Sequence, residues 1–174
     1  MKKSILMVCL GNICRSPTAH GIMEHLVAEA GLTDYLTIDS AGTGDWHIGR
    51  QPDPRTQQAA LRRGYDLSNQ RARQVQVEDF ERFDYVVAMD RQNRKDLLDL
   101  APAGMEGKVT LLLDHAGQPD QDVPDPYYGE ADGFETVLDL VEHACTSLLQ
   151  RLVAEHGYAA SVAQTEVEAE DTAG

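Results

Sequence analysis

The sequence predicts a parallel α/β domain whose sheet is covered by helices on both faces. Two observations carry this: short apolar runs alternate along the chain with stretches of helical periodicity, and the N-terminal unit passes from an apolar strand through a tight loop into a helix. At 174 residues with 42% apolar content, the chain can bury one core without disulfide or metal staples. The domain is expected over residues 1–157.

Residues 4–8 read as a short buried strand. Ser16-Pro17 then supplies a helix cap followed by proline at the first helical position. Ala19, Ile22, Met23, Leu26, Val27 and Ala30 form one apolar stripe before Gly31 stops the helix. A second strand is expected over 35–39 and a helix over 53–64, opened by Asp53-Pro54. A third strand covers 83–89, with Asp90 capping a helix to Leu100. A fourth strand covers 109–113, and a long helix runs over 132–155. The two long connections, 41–52 and 114–131, are expected to form site walls. Residues 158–174, acidic and without apolar period, read as a disordered tail.

Net charge is −14, from 15 Lys and Arg against 29 Asp and Glu, which argues against nucleic acid or an anionic membrane as partner. No apolar run approaches the roughly 20 residues of a membrane span. The N-terminal apolar run, Ile5 to Leu10, is too short for a secretory signal, so the chain is expected to be cytoplasmic. Three cysteines, Cys9, Cys14 and Cys145, do not suggest a disulfide framework. The six histidines show no metal-ligand spacing, so no metal is expected.

The densest motif is Cys9-Leu10-Gly11-Asn12-Ile13-Cys14-Arg15-Ser16, in which five residues separate a cysteine from an arginine between strand and helix. In an open α/β sheet, ligands bind beyond the carboxyl ends of strands, where the next helix aims its amides and positive dipole end. A loop of this length can curl so that the amides of residues 10–16 converge on one anion, with Gly11 and Asn12 tolerating positive φ. Arg15 adds a planar fork suited to two phosphate oxygens. The same positive surroundings favour the thiolate of Cys9, making it a nucleophile toward phosphorus. Ser16 can hydrogen-bond the sulfur. No Gly-Lys-Ser/Thr follows the glycine, which excludes a Walker-type nucleotide loop.

A phenolate is a poor leaving group, so a carboxylic acid should protonate it. The candidate is Asp125, stiffened between Pro124 and Pro126 and followed by Tyr127 and Tyr128, which could face an aromatic substrate. Trp46, the only tryptophan, sits in the other long loop and could stack on the same ring. Cys14 is close enough in sequence to pair with Cys9 under oxidation. Cys145 reads as core.

These residues, together with Ser40-Ala41-Gly42-Thr43, Asp53-Pro54-Arg55, Met89-Asp90 with Asn93, and Asp125-Pro126-Tyr127-Tyr128, resemble the low-molecular-weight protein tyrosine phosphatases over roughly residues 4–155. The resemblance implies a three-layer α/β/α fold on a four-stranded parallel sheet of order 2-1-3-4, and hydrolysis of phosphotyrosine in protein substrates through a cysteinyl-phosphate. It implies Cys9 as nucleophile, Arg15 as phosphate clamp, Ser16 as thiolate partner, Asn12 and Ser40 as loop support, and Asp125 as general acid. Trp46, Tyr127 and Tyr128 would be aromatic walls, the paired tyrosines being phosphorylated in some relatives. It implies no cofactor, a monomer, and inhibition by phosphate-like oxyanions. One departure stands out: where many relatives carry a histidine before Gly64, this chain has Arg63, so that histidine's contact to the loop asparagine would be lost.

Two other readings compete. A thiol-dependent arsenate reductase shares the cysteine loop but needs further cysteines for its disulfide relay, and residues 80–94 hold none. A phosphoprotein-binding module would keep the anion cradle without turnover, yet Cys9 and Asp125 make a complete catalytic set.

Overall fold

Four parallel strands form the sheet in the order 2-1-3-4, as expected. The computed structural model describes residues 2–130 and 132–158, and the expected tail lies, beyond Tyr158, outside the described residues. The strands are β1 (Lys3–Cys9), β2 (Leu36–Gly42), β3 (Tyr85–Ala88) and β4 (Val109–Leu111). The helices are α1 (Arg15–Glu29), α2 (Pro54–Arg62), the single turn α3 (Asp79–Arg82), α4 (Arg91–Leu100) and α5 (Asp132–His156).

Alternation along β1 creates both cores. Ile5, Met7 and Cys9 face a layer built from α1, α2 and α5, while Leu6 and Val8 face Phe80, Val86, Ala88, Leu97 and Leu111 on the opposite side. Ile5, Leu6, Met7 and Val8 have no exposed surface, and each contributes on the order of 1.5–3 kcal/mol through burial. Arg63 fastens α2 to α5 by pairing with Glu135, Asp139 and Glu142 at 2.6, 2.9 and 2.5 Å. It therefore points away from the loop asparagine, and the substitution noted at this position bears on helix packing instead.

Several boundaries differ from the sequence reading for physical reasons. β2 continues to Gly42, which pairs with Cys9, because glycine lets the strand run against the cysteine loop. A Cβ on Gly42 would stand 2.7 Å from the Leu10 carbonyl oxygen. The run expected as strand over 109–113 leaves the sheet after Leu111 and tightens into a 3-10 turn over Leu112–Ala116, which still buries Leu112 and Leu113. Helix α1 starts at Arg15 with Cys14 in the cap position and no side-chain cap, so Ser16 lies inside the first turn. Asp53 and Asp90 do cap α2 and α4, accepting from the backbone N–H groups of Arg55 and Asn93 at 2.8 and 2.7 Å.

The sheet also draws its carboxyl ends together. The Met89 N–H donates to the Val8 carbonyl at 2.9 Å, and the Val123 N–H donates to the Met89 carbonyl at 2.8 Å. The segment carrying Asp125 is thereby laid beside the end of β1. Gly42→Ala is expected to lower stability by about 1–3 kcal/mol in urea denaturation and to weaken inhibition by phosphate, because the new methyl must displace the backbone of the cysteine loop. Wild-type stability with wild-type phosphate inhibition would contradict that reading.

Candidate active site

The loop leaving β1 curls around the sulfur of Cys9, whose side chain is 2% exposed at the floor of a cleft. The Asn12 N–H points at this sulfur at 3.3 Å, and the Ser16 hydroxyl lies 3.0 Å from it. Asn12 takes a φ of 57°, the left-handed conformation anticipated for the loop. Its side chain stabilises that geometry by donating to Ser16 Oγ at 2.8 Å and accepting from the Arg73 N–H at 3.0 Å. Gly11 does not need positive φ; its missing side chain instead makes room for His47, whose ring carbon would lie 3.0 Å from a Cβ. Among the described residues, the amides of Gly11, Ile13 and Cys14 make no hydrogen bond to the protein, leaving them available to an anion.

Arg15 is 3% exposed and charged. Burial alone would lower its pKa, but Cys9, Asp90 and Asp125 outweigh burial and raise it above the ordinary value. Its Nη1 donates to Asp90 Oδ2 at 2.6 Å and to the Val123 carbonyl at 3.1 Å. Nη2 stands 3.6 Å from Asp125 Oδ2. Among the described residues, Nε and Nη2 have no hydrogen-bond acceptor, so that edge of the fork is open to a ligand.

The cleft, about 360 Å³, is lined by the loop, Arg15, Asp125 and three aromatic residues, Trp46, Tyr127 and Tyr128, with His47 beside them. Trp46 folds over Gly44, where any side chain would collide with its ring. Tyr127 and Tyr128 meet edge to face at 4.8 Å. Asn12 and Ser16 stand behind the sulfur instead of lining the cleft. Ser40 lies a step further back, bonded to His20 Nδ1 at 3.1 Å and to Gln70 Oε1 at 3.4 Å, and Gln70 in turn donates to the Pro17 carbonyl at 3.0 Å. Ser40 thus meets His20 and Gln70.

Sequence reasoning did not assign Asp90, His47 or the Val123 carbonyl to the site. Asp90 could have been found from its position at the carboxyl end of β3, where the same topological rule that singled out Cys9 applies. The Val123 carbonyl has no sequence signal, because any residue type offers one.

The fold and this cradle around a thiol define the class of proteins that hold a tetrahedral oxyanion against a cysteine. The chain belongs to the low molecular weight phosphotyrosine protein phosphatase family, whose model matches residues 4–158. The low molecular weight protein-tyrosine-phosphatase of Streptomyces coelicolor is 47% identical over 154 residues, covering 86% of this chain and 93% of that protein. YfkJ of Bacillus subtilis, a low molecular weight protein-tyrosine-phosphatase, is 44% identical over 147 residues, covering 84% of this chain and 93% of its own. The crystal structure of the protein tyrosine phosphatase of Entamoeba histolytica with Hepes in the active site superposes with a TM-score of 0.83 at 39% identity, covering 90% of this chain and 99% of that one. This chain is accordingly a protein-tyrosine phosphatase and a hydrolase; no helix of the described residues is long and apolar enough to cross a membrane.

All three cysteines are free thiols. Burial, the largest cause, pushes Cys14 up to about 12, and burial alone pushes Cys145 higher still. Both therefore stay protonated and unreactive at neutral pH, whereas the Cys9 sulfur lies at the cleft floor with the Asn12 N–H pointing at it. Iodoacetate at pH 7 is expected to alkylate Cys9 alone, with inorganic phosphate slowing the reaction; peptide mapping that finds Cys14 or Cys145 modified at a similar rate would contradict this.

Proposed function

We propose that the reaction runs through a cysteinyl-phosphate on Cys9, with Arg15 and the loop amides holding the phosphoryl oxygens and Asp125 moving the proton. The observation that carries this is the sulfur at the cleft floor beside the Asn12 N–H and the Ser16 hydroxyl, facing a buried arginine whose outer edge is open and an aspartate at 3.6 Å from that arginine. In the first step a sulfur electron pair attacks phosphorus. The bond from phosphorus to the phenolic oxygen breaks, and the proton of the Asp125 carboxyl goes to that oxygen, so tyrosine leaves neutral.

In the second step water attacks the phosphorus and gives its proton to the Asp125 carboxylate. The sulfur–phosphorus bond breaks, and the sulfur takes the electron pair as inorganic phosphate departs. The Ser16 hydroxyl and Asn12 N–H stabilise the sulfur as a leaving group. The equatorial oxygens stay against Arg15 and the free amides throughout the in-line transfer. Phosphate-like oxyanions fit the same cradle and are expected to inhibit.

Preference for phosphotyrosine in proteins follows from depth and walls. With Cys9 at the floor and Trp46, Tyr127 and Tyr128 above it, a long aryl ester reaches phosphorus to sulfur while stacking on the walls; a phosphoserine side chain is shorter and offers no ring. Trp46 and Tyr128 are 66% and 91% exposed, which suits rings that cover a substrate when it arrives. The relay of an arsenate reductase would need a further accessible thiol, and Cys145 has no exposed surface, its sulfur packed 3.9 Å from the Ala19 carbonyl oxygen.

Hydrolysis of p-nitrophenyl phosphate and phosphotyrosine under reducing conditions tests these roles. Cys9→Ser is expected to be inactive, Arg15→Ala to lose both turnover and phosphate inhibition, and Asp125→Ala to slow phosphotyrosine hydrolysis by ~10²–10⁴. Phosphoserine should be turned over poorly by all forms. Retention of full phosphotyrosine activity by Asp125→Ala would remove it as the acid.

A further inference from the structure

We infer that Arg55 is a positioning residue for the acid step, acting through the backbone of Tyr127 to hold the Asp125 carboxyl over the cleft; this rests on Asp125 being the general acid. Arg55 lies on the first turn of α2, with half of its side chain exposed. Its Nε and Nη2 grip both oxygens of the buried Asp53 at 3.1 and 2.8 Å. Nη2 also donates to the Tyr127 carbonyl at 3.1 Å. The guanidinium plane lies over two rings, 4.9 Å from the centre of Phe134 and 5.5 Å from that of Tyr127.

These contacts join the two halves of the site. On one side, the Asp53 N–H donates to the Ile13 carbonyl at 2.8 Å, tying α2 to the cysteine loop. On the other, the Tyr127 N–H donates to Asp125 Oδ1 at 3.0 Å, so the residue whose carbonyl Arg55 holds also orients the carboxylate, through its preceding peptide. Among the described residues, the bond from Arg55 is the only hydrogen bond reaching residues 124–129 from elsewhere in the chain. Pro126 is buried and lines a small cavity together with Cys14, Thr56 and Phe134, which gives the carboxyl no direction. Beyond the long 3.6 Å contact to Arg15 Nη2, directional control of Asp125 therefore falls to Arg55, and a lysine could not reproduce it, having no planar fork to span Asp53 and the Tyr127 carbonyl.

A mispositioned acid costs most where the leaving group needs its proton most. The test is kcat/KM on phenyl phosphate, p-nitrophenyl phosphate and 2,4-dinitrophenyl phosphate, a series of falling leaving-group basicity, for wild type, Arg55→Ala, Asp125→Ala and the double variant. Arg55→Ala is expected to lose about ten-fold on phenyl phosphate, a fraction of the ~10²–10⁴ of a lost acid, and almost nothing on the dinitrophenyl ester. Inhibition by inorganic phosphate should be unchanged, and adding Arg55→Ala to Asp125→Ala should cost nothing further. Arg55→Lys should show the same trend with a smaller loss, which keeps the question open to measurement if the alanine variant folds poorly. A uniform loss across the three esters, or a full additional loss in the double variant, overturns the inference. So does a flat Arg55→Ala series beside a steep Asp125→Ala series, leaving the acid assignment standing; a flat Asp125→Ala series overturns both.

Discussion

The structure turns on one buried positive charge. Arg15 sits at the mouth of α1 with almost no exposed surface, and a buried guanidinium is costly unless it is paired and hydrogen-bonded. Asp90, from the end of β3, and the Val123 carbonyl, from the segment beyond β4, satisfy Nη1 and no more. The remaining edge faces the cleft beside Asp125. The site therefore has a standing demand for a tetrahedral anion that brings the acceptors the protein withholds. The order of strands serves this arrangement, since only adjacent parallel strands ending on the same side can bring residues 15, 90 and 123 to one point.

Around that charge the two working loops are held by different means. The cysteine loop is fixed from below by Asn12, by the close passage of Gly42 and by the Asp53 N–H on the Ile13 carbonyl. Such a loop presents preorganised donors without rearrangement during the reaction, the condition under which electrostatic stabilisation is most effective. The segment carrying Asp125 is held more lightly, by the buried Pro126, by the long contact to Arg15 and by Arg55. That contrast matches the proposed chemistry, in which the phosphoryl group would stay fixed while Asp125 would serve a leaving group in one step and a water in the next.

Much of this was legible in the sequence because it is local. The strand–loop–helix unit, the Cys9-to-Arg15 spacing, the caps at Asp53 and Asp90, and the apolar runs of β1 and β3 each depend on neighbours within a few residues. Ser16 misled for an instructive reason: Ser-Pro is a good helix opening, but here the hydroxyl is committed to the Cys9 sulfur and α1 starts without a side-chain cap. The run 109–113 misled because burial alone does not distinguish a strand from a 3-10 turn. What could not be read were the long-range partnerships, such as Arg15 with Asp90, Ser40 with Gln70, and Arg63 with the acidic face of α5, since nothing in a single sequence says which charges will meet.

The central claim is that phosphate passes through Cys9, and the most direct measurement is to trap it there. Wild-type protein would be mixed with p-nitrophenyl phosphate, quenched in acid within milliseconds, and subjected to intact-mass and peptide analysis. The account expects a fraction of the protein to carry the added mass of one phosphoryl group, located on the peptide containing Cys9 and absent from Cys9→Ser. Steady turnover with no adduct at any quench time, together with a nitrophenol burst of zero and surviving activity in Cys9→Ser, would contradict it and point to direct attack by water.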